Sequence, residues 1–268
     1  MDTELLALKV RKHAIDMTRL GNSSHIGSIL SIADILGVLY GEIMSVRPDD
    51  PHWADRDRFI LSKGHAGAGV YAVLAEMGFF PTDQLKSHYQ DGSLLSGHVS
   101  HKGIPGVDFS TGSLGHGLSV GAGLAMAAKL DEKAYRTFVL LSDGECDEGS
   151  TWEAIIFAGH HKLDNLVVIV DYNKIQSLGS VKKILDLEPF IDKWRAFKWS
   201  TTQIDGHNHH SIKNVLSSLP FKKGRPNCII CNTIKGKGVS FMENKVAWHY
   251  RSPQDERYKQ AMKELINA

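Results

Sequence analysis

Disulfide chemistry has little to work with in this chain: 268 residues contain three cysteines. Cys228 and Cys231 form a CxxC, a spacing that suits redox or metal sites. They lie in the apolar run Asn227–Cys231, which reads as a buried strand. Residues three apart on a strand point to opposite faces, so the two thiols are expected to diverge. Net charge is also nearly absent. Lysine and arginine total 31 against 30 acids, a formal charge of +1. That balance gives no electrostatic reason to expect nucleic acid or an anionic membrane surface as a partner. No apolar run approaches membrane-spanning length. The start, Met1-Asp2-Thr3-Glu4, is not a basic region followed by an apolar one. These absences lead us to expect a cytoplasmic chain. There is no Pro/Gly/Ser-rich linker, internal repeat or low-complexity tract, and no GxxxxGK[ST] phosphate loop. The expectation is a single unit over 1–268, with a C-terminal extension.

What is present is the alternation of an α/β protein. Residues 3–20 and 31–46 carry apolar side chains at helical spacing, with Ser31 a candidate N-cap of the second helix. Between them, Gly21–Ser28 reads as a polar loop. Phe59–Leu61 is a short strand, followed by Ser62–Gly67 and a helix to about Met77. Thr82 is the expected cap of a further helix. Residues 91–113 read as loop, and 115–130 as a helix of small residues. Apolar strands follow at Thr137–Leu141 and Leu166–Val170, a strand at 200–204 and another at 227–232. Helices lie near 150–162, 188–197 and, capped by Asn208, to about Leu219. The pattern predicts a parallel sheet flanked by helices. Ligands of such sheets bind outside the carboxyl ends of the strands.

Two of these ends carry hard oxygen ligands. Ser142-Asp143-Gly144-Glu145 follows one strand and Asp171-Tyr172-Asn173-Lys174-Ile175 the next, with Asn173 lying 30 residues after Asp143. A carboxylate, an amide oxygen and a backbone carbonyl suit Mg²⁺ or Ca²⁺, with phosphate and water completing the shell. Gly144 lets backbone approach a diphosphate, and the helix near Ser150 adds its positive end. The plainer alternative is a pair of solvated turns.

Of 14 histidines, most have an ordinary reading. His160-His161 sit at a helix end, and His207, His209 and His210 surround a turn and cap. His25, His65, His98 and His249 instead lie in or beside loops of small residues. Imidazole can there donate, accept or take a proton near neutrality. Thr111–Ser119 is a glycine-rich turn before a small-residue helix. Glu148 and Glu153 stand near a helix start, where acids are favoured by the helix dipole.

These motifs together resemble the transketolases. Asp143-Gly144 with Asn173 is similar to the cofactor motif of thiamine-diphosphate enzymes. The local form Asp-Gly-Glu-x-x-Glu-Gly-Ser-x-Trp-Glu-Ala is similar to transketolase in particular. The resemblance implies the thiamine-diphosphate-binding fold. It implies that Asp143, Asn173 and the carbonyl of Ile175 bind Mg²⁺ (or Ca²⁺ or Mn²⁺), and that Gly144, His65 and His249 approach the diphosphate. It also implies that the Gly112 carbonyl and Leu114 contact the rings, that His25 and His98 line the donor-sugar channel, and that Glu148 and Glu153 link the two sites of a dimer. Departures are Ser142 for Gly, His116 for Gln, and Ser24-His25-Ile26-Gly27 for Gly-His-Pro-Gly.

The resemblance covers nearly the whole chain but only the first domain of a full-length transketolase. It implies a separate C-terminal transketolase subunit of about 300 residues carrying the pyrimidine-binding domain, in an α2β2 assembly acting on sugars or sugar phosphates. Alternatives are a specialised carboligase, a 2-oxo-acid decarboxylating subunit, or a non-catalytic regulatory subunit.

Overall fold

In the computed structural model, which describes residues 1–267, five parallel strands form one sheet in the order β1-β2-β3-β5-β4. They are β1 (Arg58–Leu61), β2 (Thr137–Ser142), β3 (Leu166–Tyr172), β4 (Ser200–Asp205) and β5 (Asn227–Asn232). The central strands β2 and β3 are buried along their whole length. That is why they read as unbroken apolar runs rather than alternations, since helices cover both faces of a parallel sheet. The edge strand β4, Ser-Thr-Thr-Gln-Ile-Asp, is more polar and partly exposed, as an unpaired edge favours.

The sheet separates two apolar layers. On one face α1 (Thr3–Leu20), α2 (Ile26–Leu30), α3 (Ala33–Val38), α4 (Gly67–Glu76) and α9 (His209–Ser217) pack against Phe138, Leu140, Val167 and Ile169. On the other, α5 (Gly117–Leu130), α6 (Gly149–His160) and α8 (Phe190–Ala196) pack against Val139, Leu141, Val168 and Val170. Cys231 belongs to the first layer and Cys228 to the second. The two thiols therefore diverge as expected, and all three cysteines are buried and unpaired.

Local chemistry explains most boundaries. Asp2 caps α1 by accepting from Leu5 N at 3.0 Å, and Asn208 caps α9 by accepting from Ser211 N at 2.9 Å. Two expected caps are not used. Thr82 lies inside a short 3-10 turn, Thr82–Ser87, whose cap position is Pro81. The Ser31 hydroxyl turns inward and donates to Ser28 O at 3.0 Å and Asp171 Oδ2 at 2.7 Å. It is spent on a buried carboxylate instead of a helix end. The segment expected as one helix over 31–46 is α3 followed by a wider π turn, Leu39–Ile43. Part of the expected loop 21–28 is helical as α2. A short helix, α7 (Val181–Ile184), and a C-terminal helix, α10 (Asp255–Ile266), were not foreseen.

The segment after β5 turns back over the sheet end. A 3-10 turn, Val246–His249, brings His249 to the strand ends, where its carbonyl accepts from His25 N at 2.9 Å. α10 then packs on α1, with Tyr258 Oη donating to Asp16 at 2.8 Å. No helix among the described residues is long and apolar enough to cross a membrane.

Candidate active site

β2 and β3 run in register so that Ser142 lies beside Asp171. Their carboxyl ends therefore deliver Asp143 and Asn173 to one rim. A cleft opens there, of about 510 Å³ including its solvent-facing mouth, lined among others by Lys63, His65, Leu114, Asp143, Gly144 and Lys235. Asn173, Ile175 and His249 complete its wall.

Asp143 is buried and accepts two backbone N–H groups, Gly144 N at 2.7 Å and Lys174 N at 2.6 Å. Burial, reinforced by the neighbouring Asp171 carboxylate, nonetheless pushes its pKa up to about 6. A carboxylate held at such cost beside a cleft is one that a cation would relieve. Asn173 is oriented by two bonds: Nδ2 donates to Asp171 at 3.0 Å, and Oδ1 accepts from Ile175 N at 3.0 Å. At Gly144, a Cβ would stand 3.0 Å from the Gln176 side chain, so the turn stays open because the residue is glycine. The set offers one carboxylate and neutral oxygens. Among the described residues no three His, Cys, Asp or Glu side chains form a metal cage. A hard cation sharing its shell with an anionic ligand fits that donor set.

Two buried lysines face the same space. Lys63 donates to Asp171 Oδ2 at 2.5 Å and to Ser28 O at 3.1 Å, and the ion pair is almost wholly out of water. The Asp171 carboxyl is held below its ordinary range: burial raises it, but Lys63 and hydrogen bonds from Thr233 and Ser31 outweigh that. Lys235 donates to Ile175 O at 3.0 Å and to His249 Nδ1 at 3.0 Å. Burial, with Lys63 nearby, lowers its pKa to about 8. An ammonium only donates, so His249 Nδ1 accepts, and Nε2 carries the imidazole proton.

The four singled-out histidines come together. The His25 ring centroid lies 5.1 Å from that of His65, 5.7 Å from His98 and 4.9 Å from His249. His25 holds a left-handed backbone, φ +73°, unusual without glycine and stabilised here by its bond to His249 O. Desolvation lowers His25 to about 4, with His98, Lys235 and Lys63 adding to it. It lowers His249 to about 3, helped by Lys235 and His25, and depresses His65 strongly, with Lys63 contributing. All three are neutral at pH 7 and serve as donors or acceptors rather than as cations.

These shifts have a sign. From pH 6.5 down to about 4, the unfolded chain binds protons that the native cluster refuses, so stability falls as pH falls. Buried His88, lowered to about 4 by desolvation, adds to this. Asp143, Glu145 and Asp147, raised by burial, work the other way, losing stability as pH rises from about 4 to 6, but they are outweighed by five lowered histidines, His98 included, together with the lowered Asp34 and Asp171. The urea midpoint should therefore drop between pH 7 and 4.5, and a His25→Asn/His249→Asn variant should show a shallower slope. An unchanged slope in that variant would refute the assignment.

Of the remaining expected residues, Leu114 lines the cleft. Gly112 lies against the His98 ring, 3.5 Å from where its Cβ would be. Glu148 and Glu153 are exposed and do not line the cleft. The acid that ties the site together is Glu145, which sequence reasoning left unassigned. It is fully buried, accepts from Ser62 Oγ, and accepts from Gly115 N at 2.9 Å. It thus joins the exit of β1, the glycine-rich turn and the exit of β2. Lys63 and Lys235 were also missed. The available signal was a lysine beside glycine just past a strand end, in Ser62-Lys63-Gly64 and Ile234-Lys235-Gly236.

The family described as "Transketolase, thiamine diphosphate binding domain" matches residues 3–265.

The chain belongs to the transketolase family.

Among transketolase relatives, it is 41% identical over 265 residues to the 6-deoxy-6-sulfo-D-fructose transketolase subunit SqwG of Clostridium sp. (strain MSTE9), spanning 99% of this chain and 96% of that one. It is 41% identical over 262 residues to an apulose-4-phosphate transketolase subunit of Phocaeicola vulgatus, spanning 98% and 93%. The transketolase of Leishmania mexicana superposes with a TM-score of 0.92 at 31% identity, spanning 99% of this chain but 41% of that one. The chain thus has the length of the two relatives named as subunits and under half that of this solved transketolase. It is a transketolase-type transferase chain carrying the thiamine-diphosphate-binding domain.

Proposed function

We propose that this chain is the thiamine-diphosphate-binding subunit of a two-component transketolase. In this reading it transfers a two-carbon ketol unit from a ketose or ketose phosphate to an aldose, together with a separate C-terminal subunit carrying the pyrimidine-binding domain. The observation that carries it is the convergence of Asp143, Asn173, Ile175 O, Lys63, Lys235, His65 and His249 on one cleft at the strand ends. Near-complete coverage of relatives named as subunits supports the division into two chains.

Asp143, Asn173 and the Ile175 carbonyl would hold Mg²⁺, with Ca²⁺ or Mn²⁺ as substitutes, and Gly144 would admit the diphosphate. Lys63 and Lys235 supply the positive charge that offsets it. When bound, thiamine diphosphate supplies an electron sink for breaking the carbon–carbon bond beside a ketose carbonyl. The protein's part is orientation and proton handling. His249, fixed as a donor at Nε2, and His65 would hold the diphosphate side, while Leu114 and the Gly112 carbonyl would contact the rings. His25 and His98 lie outside the lining of the cleft, with the His25 ring packed against His65, His98 and His249, and there neutral imidazoles would bind sugar hydroxyls and move a proton. Glu148 and Glu153, exposed in the single chain, would become buried in an α2β2 assembly and share protons across it. Three free, buried cysteines suit a reducing compartment, and we assign the enzyme to the cytoplasm.

Native mass spectrometry of the chain isolated from its host tests this. The expected species contains two copies of this chain, two of a second polypeptide, thiamine diphosphate and a divalent metal. A bare homo-oligomer that remains inactive with every candidate second polypeptide would overturn the reading.

A further inference from the structure

His207, an ordinary turn histidine by sequence, occupies a place in the fold where both ring nitrogens have decided roles. Nε2 accepts from the backbone N–H of Ile234 at 2.8 Å. A backbone N–H only donates, so Nε2 is bare and the proton of the neutral ring is on Nδ1. Nδ1 lies 2.7 Å from Asp34 Oδ2 and donates to it.

Asp34 is itself immobilised. Arg11 grips it with two parallel bonds, Nη1 donating to Oδ1 at 2.8 Å and Nη2 to Oδ2 at 2.5 Å. His209 Nε2 adds a third partner at 3.0 Å. Burial would raise this carboxyl, but hydrogen bonds from His207, His209 and Arg11 outweigh it and hold it well below the ordinary range. The chain of contacts therefore runs from α1 through α3 and the turn before α9 to the segment after β5.

That segment is the one that matters to the cleft. Thr233, before Ile234, donates its hydroxyl to Asp171. Lys235, after it, reaches Ile175 O and His249 Nδ1. Ile234 N is thus the point at which a side chain from outside the site holds this backbone, beside the backbone bonds Thr233 N to Tyr172 O, Asn244 N to Lys235 O and Gly236 N to Gly27 O.

We propose that His207, oriented by Asp34 and Arg11, is a positioning residue that sets Lys235 against His249 and Ile175. It touches no ligand itself and acts through the Ile234 amide. What the cleft binds rests on the function proposed above; the relay from Arg11 to Lys235 does not.

The test compares His207→Leu, which removes both bonds, with His207→Gln, whose side-chain oxygen can reach toward Ile234 N. In the full chain, ¹⁵N spectra should show His207 Nδ1 protonated and Nε2 bare. In His207→Leu the Ile234 amide should exchange at least about tenfold faster, and His249 Nδ1 should lose the signature of its bond to Lys235. Thiamine diphosphate with Ca²⁺ should bind about tenfold more weakly. His207→Gln should recover part of each change. An Ile234 amide and a His249 ring unchanged in His207→Leu would overturn the proposal. If the unmodified chain and its assembled complex bind no thiamine diphosphate, the functional reading falls, while the amide and ring signals still decide the relay.

Discussion

Replacing Asp143 by Asn is expected to abolish metal-dependent binding of thiamine diphosphate. The carboxylate is the one anionic ligand in the proposed set, and burial with Asp171 alongside holds its pKa near 6. In the unmodified chain, cofactor with Mg²⁺ at about 100 times its dissociation constant should stabilise the fold by about 2.7 kcal/mol. That gain should vanish in Asp143→Asn. It should also be smaller at pH 5 than at pH 8 in the unmodified chain, because a proton competes with the cation for Asp143 below pH 6. Thermal melts with and without cofactor and metal, at both pH values, measure this. An Asp143→Asn chain with the full ligand-dependent shift would show that the metal site lies elsewhere.

The second large effect concerns the buried pair beneath the cleft. Lys63→Met leaves Asp171 charged, fully buried and without its cation. Removing one member of such a pair costs about 3–5 kcal/mol, because the remaining charge is stranded in a low dielectric. Asp171 keeps hydrogen bonds from Ser31, Thr233 and Asn173, which soften the loss without replacing the charge. The double variant Lys63→Met/Asp171→Asn should regain most of the stability, since it removes the stranded charge as well. Cofactor affinity should remain low in both, because Lys63 faces the cleft. Urea unfolding of the three chains gives the comparison. A Lys63→Met chain as stable as the original would mean that the pair is not buried as a charged couple.

The difference between these two sites is also a difference in legibility. Asp143 was readable because a carboxylate followed by glycine, directly after an apolar run of strand length, marks a strand end. In a parallel sheet the strand ends are where ligands bind. Lys63 shares its loop with His65, but its partner is 108 residues away. No local pattern says which of the chain's acids a lysine will meet. The same holds for Glu145, which joins three loops, and for Ser31, whose hydroxyl looked like a helix cap. A serine before an apolar stretch obeys the local rule until a buried carboxylate from another strand offers a stronger partner.

The sequence by itself determined the α/β class, the positions of the five strands, the divergence of Cys228 and Cys231, and the family. Apolar runs and strand-end motifs are local signals, and burial of both sheet faces enforces them. Tertiary structure decided the strand order and the convergence of His25, His65, His98 and His249. It also decided the return of the C-terminal segment that brings His249 over the cleft. The same is true of the electrostatics: His25 near 4, Asp143 near 6 and Lys235 near 8 follow from desolvation and from charges distant in sequence. A side chain's type fixes what it can donate or accept, but its proton affinity depends on how much water and which charges surround it, and folding alone sets those.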